Sequence, residues 1–566
     1  MKQNAFKKAF TVVLTIVMVF TFSACSQSNT NSDTTSKKST SDASSKPSDA
    51  AKTDDSKTPF KSEVHLSIAV YDRGVEGVPN ISDNYWTQWV QKNFGDKYNI
   101  KVEYVPITRT DVMTDYATLA AAKNLPVILM EYDYPKVAQW ANDGYLTTFD
   151  MDDFAKAAPS YYKKMKELNL LDFTTMDGET YFALAERPYW DASFLFQNFV
   201  RMDWLKEVGY DHIPATYAET MDAMDKIIDK GLAKHPLGGS MITGADGVQN
   251  YGYRKLPQDE LEWAMYSSVS LPALGWKPDH ELLKRKNFEF NKGYMNPEFY
   301  ITDAETEKAA FINGETYKYG GYMSADVDWL NSFYAQNPDA ELAIEMPPTE
   351  PDKEGGTTPL YRADNPFGMI IGFSSFAGED EIKAAWMYME WMLQEDNLKT
   401  MQWGQKGENY NINEEGTPES VEGYEGKFKQ GYNNNKDYWC IAIETRKAGT
   451  AEQMIEAVSP KGLPQDFTDQ MIEYYTTRTQ TAKAGYATID PIFKVPMEEE
   501  TEYNTTLNEM YKEFHDKLVM CDPKEFDALY QEFSKKYLDQ GYQKVIDERK
   551  EAYEAGSSTK LFDNGD

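Results

Sequence analysis

The sequence predicts an α/β body of at least two lobes, carried behind a secretory leader and a polar tether. Three observations support this. At 566 residues the chain is too long for one hydrophobic core, so it divides. Between Val64 and Asn142, apolar strand patterns alternate with amphipathic helix patterns, the order that yields a largely parallel sheet covered by helices. A hydrophobic content of 41%, with 14% aromatics, suffices to fill such cores despite a formal net charge of −33.

The leader comes first. Lys2, Lys7 and Lys8 precede the uncharged, mostly apolar run Ala9–Phe22, and small residues Ser23 and Ala24 lead into Cys25. That order is basic, apolar, then a small-residue cleavage site, as in a secretory signal over residues 1–24. The apolar run is shorter than the roughly 20 residues a spanning helix needs. Phe22-Ser23-Ala24-Cys25 resembles the lipobox of bacterial lipoproteins, in which the cysteine thiol receives a diacylglyceryl group, although Phe22 stands where Leu is usual. The resemblance implies Cys25 as the lipidated residue, a protein anchored in the bilayer through its acyl chains, and a location on the outer face of the cell membrane. Residues 25–60 follow as a tether of Ser, Thr, Asp and Lys with almost no large apolar side chain, a composition that cannot offset its ordering entropy. A flexible coil of this length spans roughly 30 Å, enough to hold a domain off a membrane.

The body opens with Val64, Leu66, Ile68 and Val70 in strict alternation, a strand signal. Asp83 is a plausible N-cap for a helix bearing Trp86, Trp89, Val90 and Phe94. Ile100–Pro106 reads as a second strand and Asp111–Ala122 as a second helix. Pro126–Asp133 is a third strand, apolar nearly throughout, as expected when both faces are covered. A helix over 135–142 ends at Gly144. Further along, Trp204, Leu205 and Val208 share one helical stripe, which makes Trp204 a core residue. Thr216 with Glu219 three residues on forms a capping box. Tyr317–Met323 reads as a strand returning to the first lobe, Phe367–Ser375 as an apolar strand, and Glu379–Leu393 as a helix.

Five stretches resemble family 1 extracellular solute-binding proteins, in the order that family shows them. They are MEYDYPKVAQWANDGYLTTFD from Met130, DGETYFAL from Asp177, FVRMDWLKEVGYDHIPATYAETMDAM from Phe199, KGYMNPEF with FINGET between Lys292 and Thr316, and WMLQEDNLKTMQWGQKGENYNINEEGTP from Trp391. The C-terminal run from Phe526 resembles the closing helices of the long Gram-positive, oligosaccharide-binding subgroup. The resemblance implies a two-lobed, periplasmic-binding-protein-like fold of type II, joined by a hinge of crossing segments. Lobe 1 is expected over 61–184 and 318–376, and lobe 2 over 185–317 and 377–566. It also implies function: a monomeric receptor that captures an oligosaccharide or other polar small solute in the cleft and delivers it to ATP-binding-cassette permease subunits. Long members that bind acidic oligosaccharides carry a calcium loop after the capped helix; Ile227–Gly247 lacks its Asp/Asn alternation, so no metal site is carried over.

A sugar presents apolar C–H faces and rims of hydroxyls, so its site needs flat aromatics beside Asp, Glu, Asn, Arg and Gln. Candidates are aromatics in polar, irregular sequence and residues at the carboxyl ends of strands, where ligands sit in such sheets. These are Tyr71 and Asp72 (with Arg73 beyond them), Glu131, Tyr132 and Asp133, then Arg187, Tyr189, Trp190 and Asp191 at the expected first crossover. Trp276, Asp326 and Trp329, and Trp403, Glu408 and Tyr410 complete the set.

Other chemistries find little footing. The five histidines are scattered without metal spacing, and no phosphate-binding loop, dinucleotide fingerprint or nucleophile elbow occurs, so no cofactor is expected and the chain reads as a binding protein, not an enzyme. A chain this acidic repels nucleic acid. Cys440 and Cys521 form no disulfide framework and read as free thiols. The alternatives are a receptor of the same superfamily for peptides or another polar solute, and a surface protein that binds or cleaves glycans, since 91 acidic residues always contain some carboxylate pair.

Overall fold

The alternating run that starts at Val64 becomes the second strand of a five-stranded sheet. A computed structural model describes the chain over residues 59–559, apart from 75–79, 189–195, 239–259, 269, 323–328, 346–360, 363–364, 415, 422–423, 425, 429–434, 447–448, 461, 482–483, 485–486 and 489. The leader, Cys25, most of the tether, and the candidates Tyr189, Trp190, Asp191 and Asp326 lie outside the described residues.

The two larger sheets use the strands β1 (Val64–Asp72), β2 (Ile100–Thr108), β3 (Ile128–Glu131), β4 (Phe182–Glu186), β5 (Phe196–Arg201), β6 (Lys318–Tyr322), β7 (Leu342–Glu345) and β8 (Phe367–Phe373). The first sheet has the order β2-β1-β3-β8-β4. β1 runs parallel to both β2 and β3, whereas β8 is antiparallel to its neighbours β3 and β4. Burial follows position in the sheet. The edge strand β2 alternates buried and exposed residues over much of its length, while β3 and β8 are buried throughout. The second sheet, β6-β5-β7, is antiparallel.

Local capping accounts for several helix starts. The first helix, Tyr85–Val90, is capped by Asn84, whose side chain accepts from Trp86 and Thr87 N–H, with Thr87 closing the box. The expected cap Asp83 sits one residue outside and accepts instead from the Gln88 side-chain amide at 3.0 Å. Thr216 and Glu219 form the capping box the sequence announces, and Gly231 ends that helix in the left-handed region.

Two segments belong to other cores than the sequence reading assigns them. β6 pairs with β5 and not with the first sheet. Its Tyr319 stacks on Phe199 and Phe311, which draws the strand into the second sheet's core. The strand that returns to the first sheet is β8. The helix Glu379–Leu393 follows it after only five residues, so it stays on that sheet and buries Ala384, Ala385, Tyr388 and Met389 there. The chain 436–443 also joins the first core, through Tyr438, Trp439, Cys440, Ile441 and Ile443.

A separate core lies among helices. Glu498–Met520, Phe526–Tyr537 and Gln543–Glu554 pack with Lys277–Asn291 and Glu260–Tyr266 around Trp263, Leu507, Phe514, Phe533 and Val545. Phe514 and Phe533 stack there with centroids 4.2 Å apart and planes at 7°. Cys440 and Cys521 are both free thiols, the first buried in the first sheet's core and the second beside the helical one. Among the described residues no helix is long and apolar enough to cross a membrane.

Candidate functional site

Because β1, β2 and β3 run parallel, their carboxyl ends gather at one edge of the first sheet. β1 ends in Tyr71-Asp72-Arg73, β2 leads into Arg109, and β3 ends in Glu131-Tyr132-Asp133. The Arg109 N–H donates to the Asp72 carbonyl at 2.9 Å, which holds the first two ends together. Tyr71 is fixed by its hydroxyl, which donates to the Met130 carbonyl at 3.0 Å, so its ring lies 6.3 Å from that of Tyr132 with planes at 29°.

Cations surround this ring pair. The Arg109 guanidinium lies 4.9 Å from the Tyr71 centroid and 5.9 Å from that of Tyr132. Arg73 reaches Tyr71 at 5.7 Å, and Lys436 reaches Tyr132 at 5.5 Å. Each cation also has a carboxylate. Arg73 donates twice to Asp437, at 2.8 and 2.9 Å, while Arg109 stands 3.8 Å from Glu131 and Lys436 stands 3.6 Å from Glu444. Burial pushes the Asp437 carboxyl up, against the pull of Arg73. It also pushes up the Cys440 thiol, which lies beside Tyr132 and Asp437 and so stays protonated. Asp133 is raised as well, first by burial, against Lys136 at 3.6 Å, and then by Glu131 and Glu500. Glu500 lies in the first turn of the helix Glu498–Met520, so that helix comes close to the edge of the first sheet.

The end of β4 supplies Arg187, where three segments run side by side. Its N–H donates to the Pro366 carbonyl at 3.2 Å, and the Glu444 N–H donates to Glu186 at 2.8 Å. The Arg187 guanidinium donates to the Glu444 carboxylate, both side chains being buried. Gly368 leaves room for this pair: a Cβ there would lie 2.6 Å from Glu444. Arg187 therefore ties the exits and entrances of the first sheet together.

The other candidates lie elsewhere. Trp276 is buried in the helical core, its indole N–H donating to Glu262 at 3.1 Å and its ring stacked on Tyr266. Trp329 sits edge-on to Phe199 in the second core, and Trp403 and Tyr410 pack in that same core. Trp403 is fully buried. These four are corrections to the sequence reading: polar neighbours in sequence did not keep the large rings out of hydrophobic cores. Glu408 is exposed in a turn, and Asp72 is exposed and accepts from the Gly74 N–H at 2.9 Å. Sequence reasoning missed Arg109, Lys436, Asp437 and Glu444. Arg109 was accessible through the same strand-end rule, one residue beyond β2. The segment 436–444 carried no local signal, because it reaches the site only through contacts such as Arg73–Asp437. Among the described residues no group of three His, Cys, Asp or Glu side chains could hold a metal ion.

Tyr71 is fully buried and Tyr132 partly exposed; that one ring edge, set among guanidinium, ammonium and carboxylate groups, suits recognition of a polar solute. Known proteins carry this further. None of the curated proteins searched matches the sequence. Among solved structures, the alginate-binding protein AlgQ2 without calcium ion is 15% identical, with a TM-score of 0.59 over 88% of this chain and 99% of that one. An extracellular solute-binding protein from Bifidobacterium longum subsp. infantis is 13% identical, with a TM-score of 0.57 over 88% and 100%. The N-glycan transport solute binding protein from Streptococcus pneumoniae is 14% identical, with a TM-score of 0.54 over 87% and 99%. At such identities the likeness establishes the fold, and it bears out the expected two-lobed α/β architecture. The sequence pattern described as bacterial extracellular solute-binding protein matches residues 89–408, more than half of the chain. A chain with this fold and that match belongs to the family of bacterial extracellular solute-binding proteins.

Proposed function

We infer that the protein is the membrane-tethered receptor of an ATP-binding-cassette importer, capturing an oligosaccharide between its lobes and presenting it to the permease. The observation that carries this reading is the partly exposed Tyr132 at the strand ends, backed by the buried Tyr71 and bordered by Arg109, Lys436, Glu131 and Asp133. A pyranose stacks its C–H face on such a ring while the charged groups take its hydroxyls. Relatives of the same fold include a human-milk-oligosaccharide binder associated with an ABC transporter and a receptor in complex with kestose. Arg187 and Glu444 stand where the chain passes from the first sheet toward the second, the place for a hinge that closes on ligand. The leader and Cys25 supply the anchor.

A thermal-shift and calorimetry screen of the purified protein against defined oligosaccharides and peptides tests the reading. A glycan at about 100 times its dissociation constant adds about 2.7 kcal/mol, which raises the midpoint by a few degrees, and is recovered intact. Stabilisation by peptides alone would retain the fold and overturn the cargo, and consumption of the glycan would overturn the receptor. Cys25→Ala should release the protein from membranes into the medium; retention of that variant at the membrane refutes the lipid anchor.

A further inference from the structure

We propose that Glu345, Asn198 and Lys318 form the second sheet's half of the sugar site, with Glu345 the counterpart of Glu131 and a pair of neighbouring cargo hydroxyls as the ligand. This rests on the receptor reading above and adds to it the residues that hold the cargo from the second lobe.

Two short strands repeat one pattern. β3 reads Ile-Leu-Met-Glu and β7 reads Leu-Ala-Ile-Glu; each is buried throughout and ends on its glutamate. Both glutamate side chains have 0% exposure. In each, one oxygen is occupied and the other has no hydrogen-bond partner among the described residues. Glu131 Oε1 accepts the Tyr132 N–H at 2.7 Å and Oε2 is left over. Glu345 Oε2 pairs with Lys318 Nζ at 2.5 Å and accepts from Asn198 Nδ2 at 3.1 Å, and Oε1 is left over. A part-exposed cation stands beside each glutamate, Arg109 at 32% and Lys318 at 21% exposure. A buried carboxylate oxygen without a donor is costly. Its recurrence at two strand ends points to a donor that arrives with a ligand.

Topology brings Glu345 to the end of the second sheet nearest the first. β5 enters from the crossover that follows Arg187, and β6 and β7 run antiparallel to it, so their carboxyl ends lie where β5 begins. At that end the register sets Gly320, Asn198 and Glu345 in one row across the three strands. Residues opposite one another share a face of the sheet, and Lys318, two positions before Gly320, shares it too. Gly320 brings no side chain to the row. Gly320, Asn198 and Lys318 are all partly exposed, so solvent reaches the row beside the buried carboxylate.

The row has the donor and acceptor mixture of a hydroxyl site. Asn198 spends one amide N–H on Glu345, which leaves its carbonyl oxygen as an acceptor, and Lys318 spends one of its three N–H donors there. Glu345 Oε1 is the remaining acceptor. A hydroxyl donates and accepts at once, and neighbouring hydroxyls of a sugar ring present both roles at close spacing. A buried acceptor set to pair a hydroxyl discriminates strongly against an analogue that lacks it.

The experiment is calorimetry on the purified protein with kestose, maltotetraose, xylotetraose, mannotetraose and a uronate tetrasaccharide, then with the monodeoxy analogues of the tightest binder. Glu345→Gln keeps an oxygen for Lys318 and Asn198 and turns the open acceptor into an amide donor. It should cost that glycan about tenfold or more, with the melting temperature within a few degrees of the parent. One deoxy analogue should lose a similar factor against the parent and bind parent and variant alike, a non-additivity that a structural role does not produce. Asn198→Ala leaves the Lys318–Glu345 pair in place and should cost severalfold, which keeps the test open should Glu345→Gln fail to fold. Parent-like affinity in both variants, or a loss of equal size for every deoxy analogue, overturns the assignment and leaves the oligosaccharide receptor standing. Absence of binding to every glycan of the panel refutes the receptor reading and this inference with it.

Discussion

Replacing Asp279 with asparagine should stabilise the protein above neutral pH and flatten its pH dependence. Asp279 opens the helix Lys277–Asn291 and is 1% exposed in the helical core. One carboxyl oxygen accepts from the Tyr511 hydroxyl at 3.0 Å, and the other lies 2.8 Å from the Tyr530 hydroxyl oxygen. The Tyr530 oxygen also accepts from the Gly275 N–H at 3.0 Å and lies 3.1 Å from the Trp276 carbonyl. With only one proton of its own, Tyr530 satisfies all these contacts if Asp279 is protonated: the acid donates to Tyr530, and Tyr530 donates to Trp276. Burial pushes the Asp279 carboxyl up to about 7, with the two tyrosine hydrogen bonds opposing. The folded protein therefore holds a proton that the unfolded chain, near 3.8, has lost. Stability falls as pH rises from about 4 to about 7 and levels off above. A gap of about three units at 1.36 kcal/mol each makes that loss about 4 kcal/mol at full ionisation. Asparagine copies the protonated acid, with its carbonyl accepting from Tyr511 and its amide donating to Tyr530. Denaturant melts from pH 4.5 to 8.5 should show the variant gaining 2–4 kcal/mol over the parent at pH 8 and little at pH 4.5. Parallel pH profiles, or a variant weaker than the parent at pH 8, would refute the protonated-acid network.

Other perturbations test other parts of the fold. Arg187→Ala leaves the buried Glu444 with only the more distant Lys436 and should cost about 3–5 kcal/mol, read by denaturant unfolding; Gly368→Ala should disturb the same pair sterically, so an unaffected midpoint in both refutes the hinge assignment. Phe514→Ala removes one ring of a close stack and should cost about 3–5 kcal/mol in the helical core, while ligand affinity measured below the melting temperature stays as in the parent. Thr216→Ala deletes one half of a capping box and should cost about 1 kcal/mol, with faster amide exchange confined to the first turn of Tyr217–Lys230.

The elements of the fold were legible where the signal is local. The period-2 run at Val64, the Thr216–Glu219 box and the helix Glu379–Leu393 all form as the sequence states, and the apolar run Pro126–Asp133 forms a strand over its middle, Ile128–Glu131. Assignment of elements to lobes was less legible. A strand such as Lys318–Tyr322 looks the same whichever sheet receives it, and its partner was decided by Tyr319 finding Phe199 and Phe311. The antiparallel entry of β8 between β3 and β4 likewise has no local mark, since an apolar run carries no direction.

The same division runs through the site. Tyr71, Glu131, Tyr132 and Asp133 could be grouped from sequence because parallel strands deliver their carboxyl ends to one edge, a rule that needs only the strands. The four tryptophan and tyrosine candidates at 276, 329, 403 and 410 could not be separated from core residues by neighbours in sequence, because burial of a ring is decided by what the fold places over it. Half of the charged border comes from a stretch more than 250 residues away. Arg73 meets Asp437 across 364 positions and Arg187 meets Glu444 across 257. Charges that act only after two distant segments pack together leave no pattern in either segment alone. Strand ends therefore bring these candidates together from sequence, while the electrostatic character of their surroundings, here the part-exposed Arg109 and Lys436 above buried acids, emerges only once the segment 436–444 has docked against the first sheet.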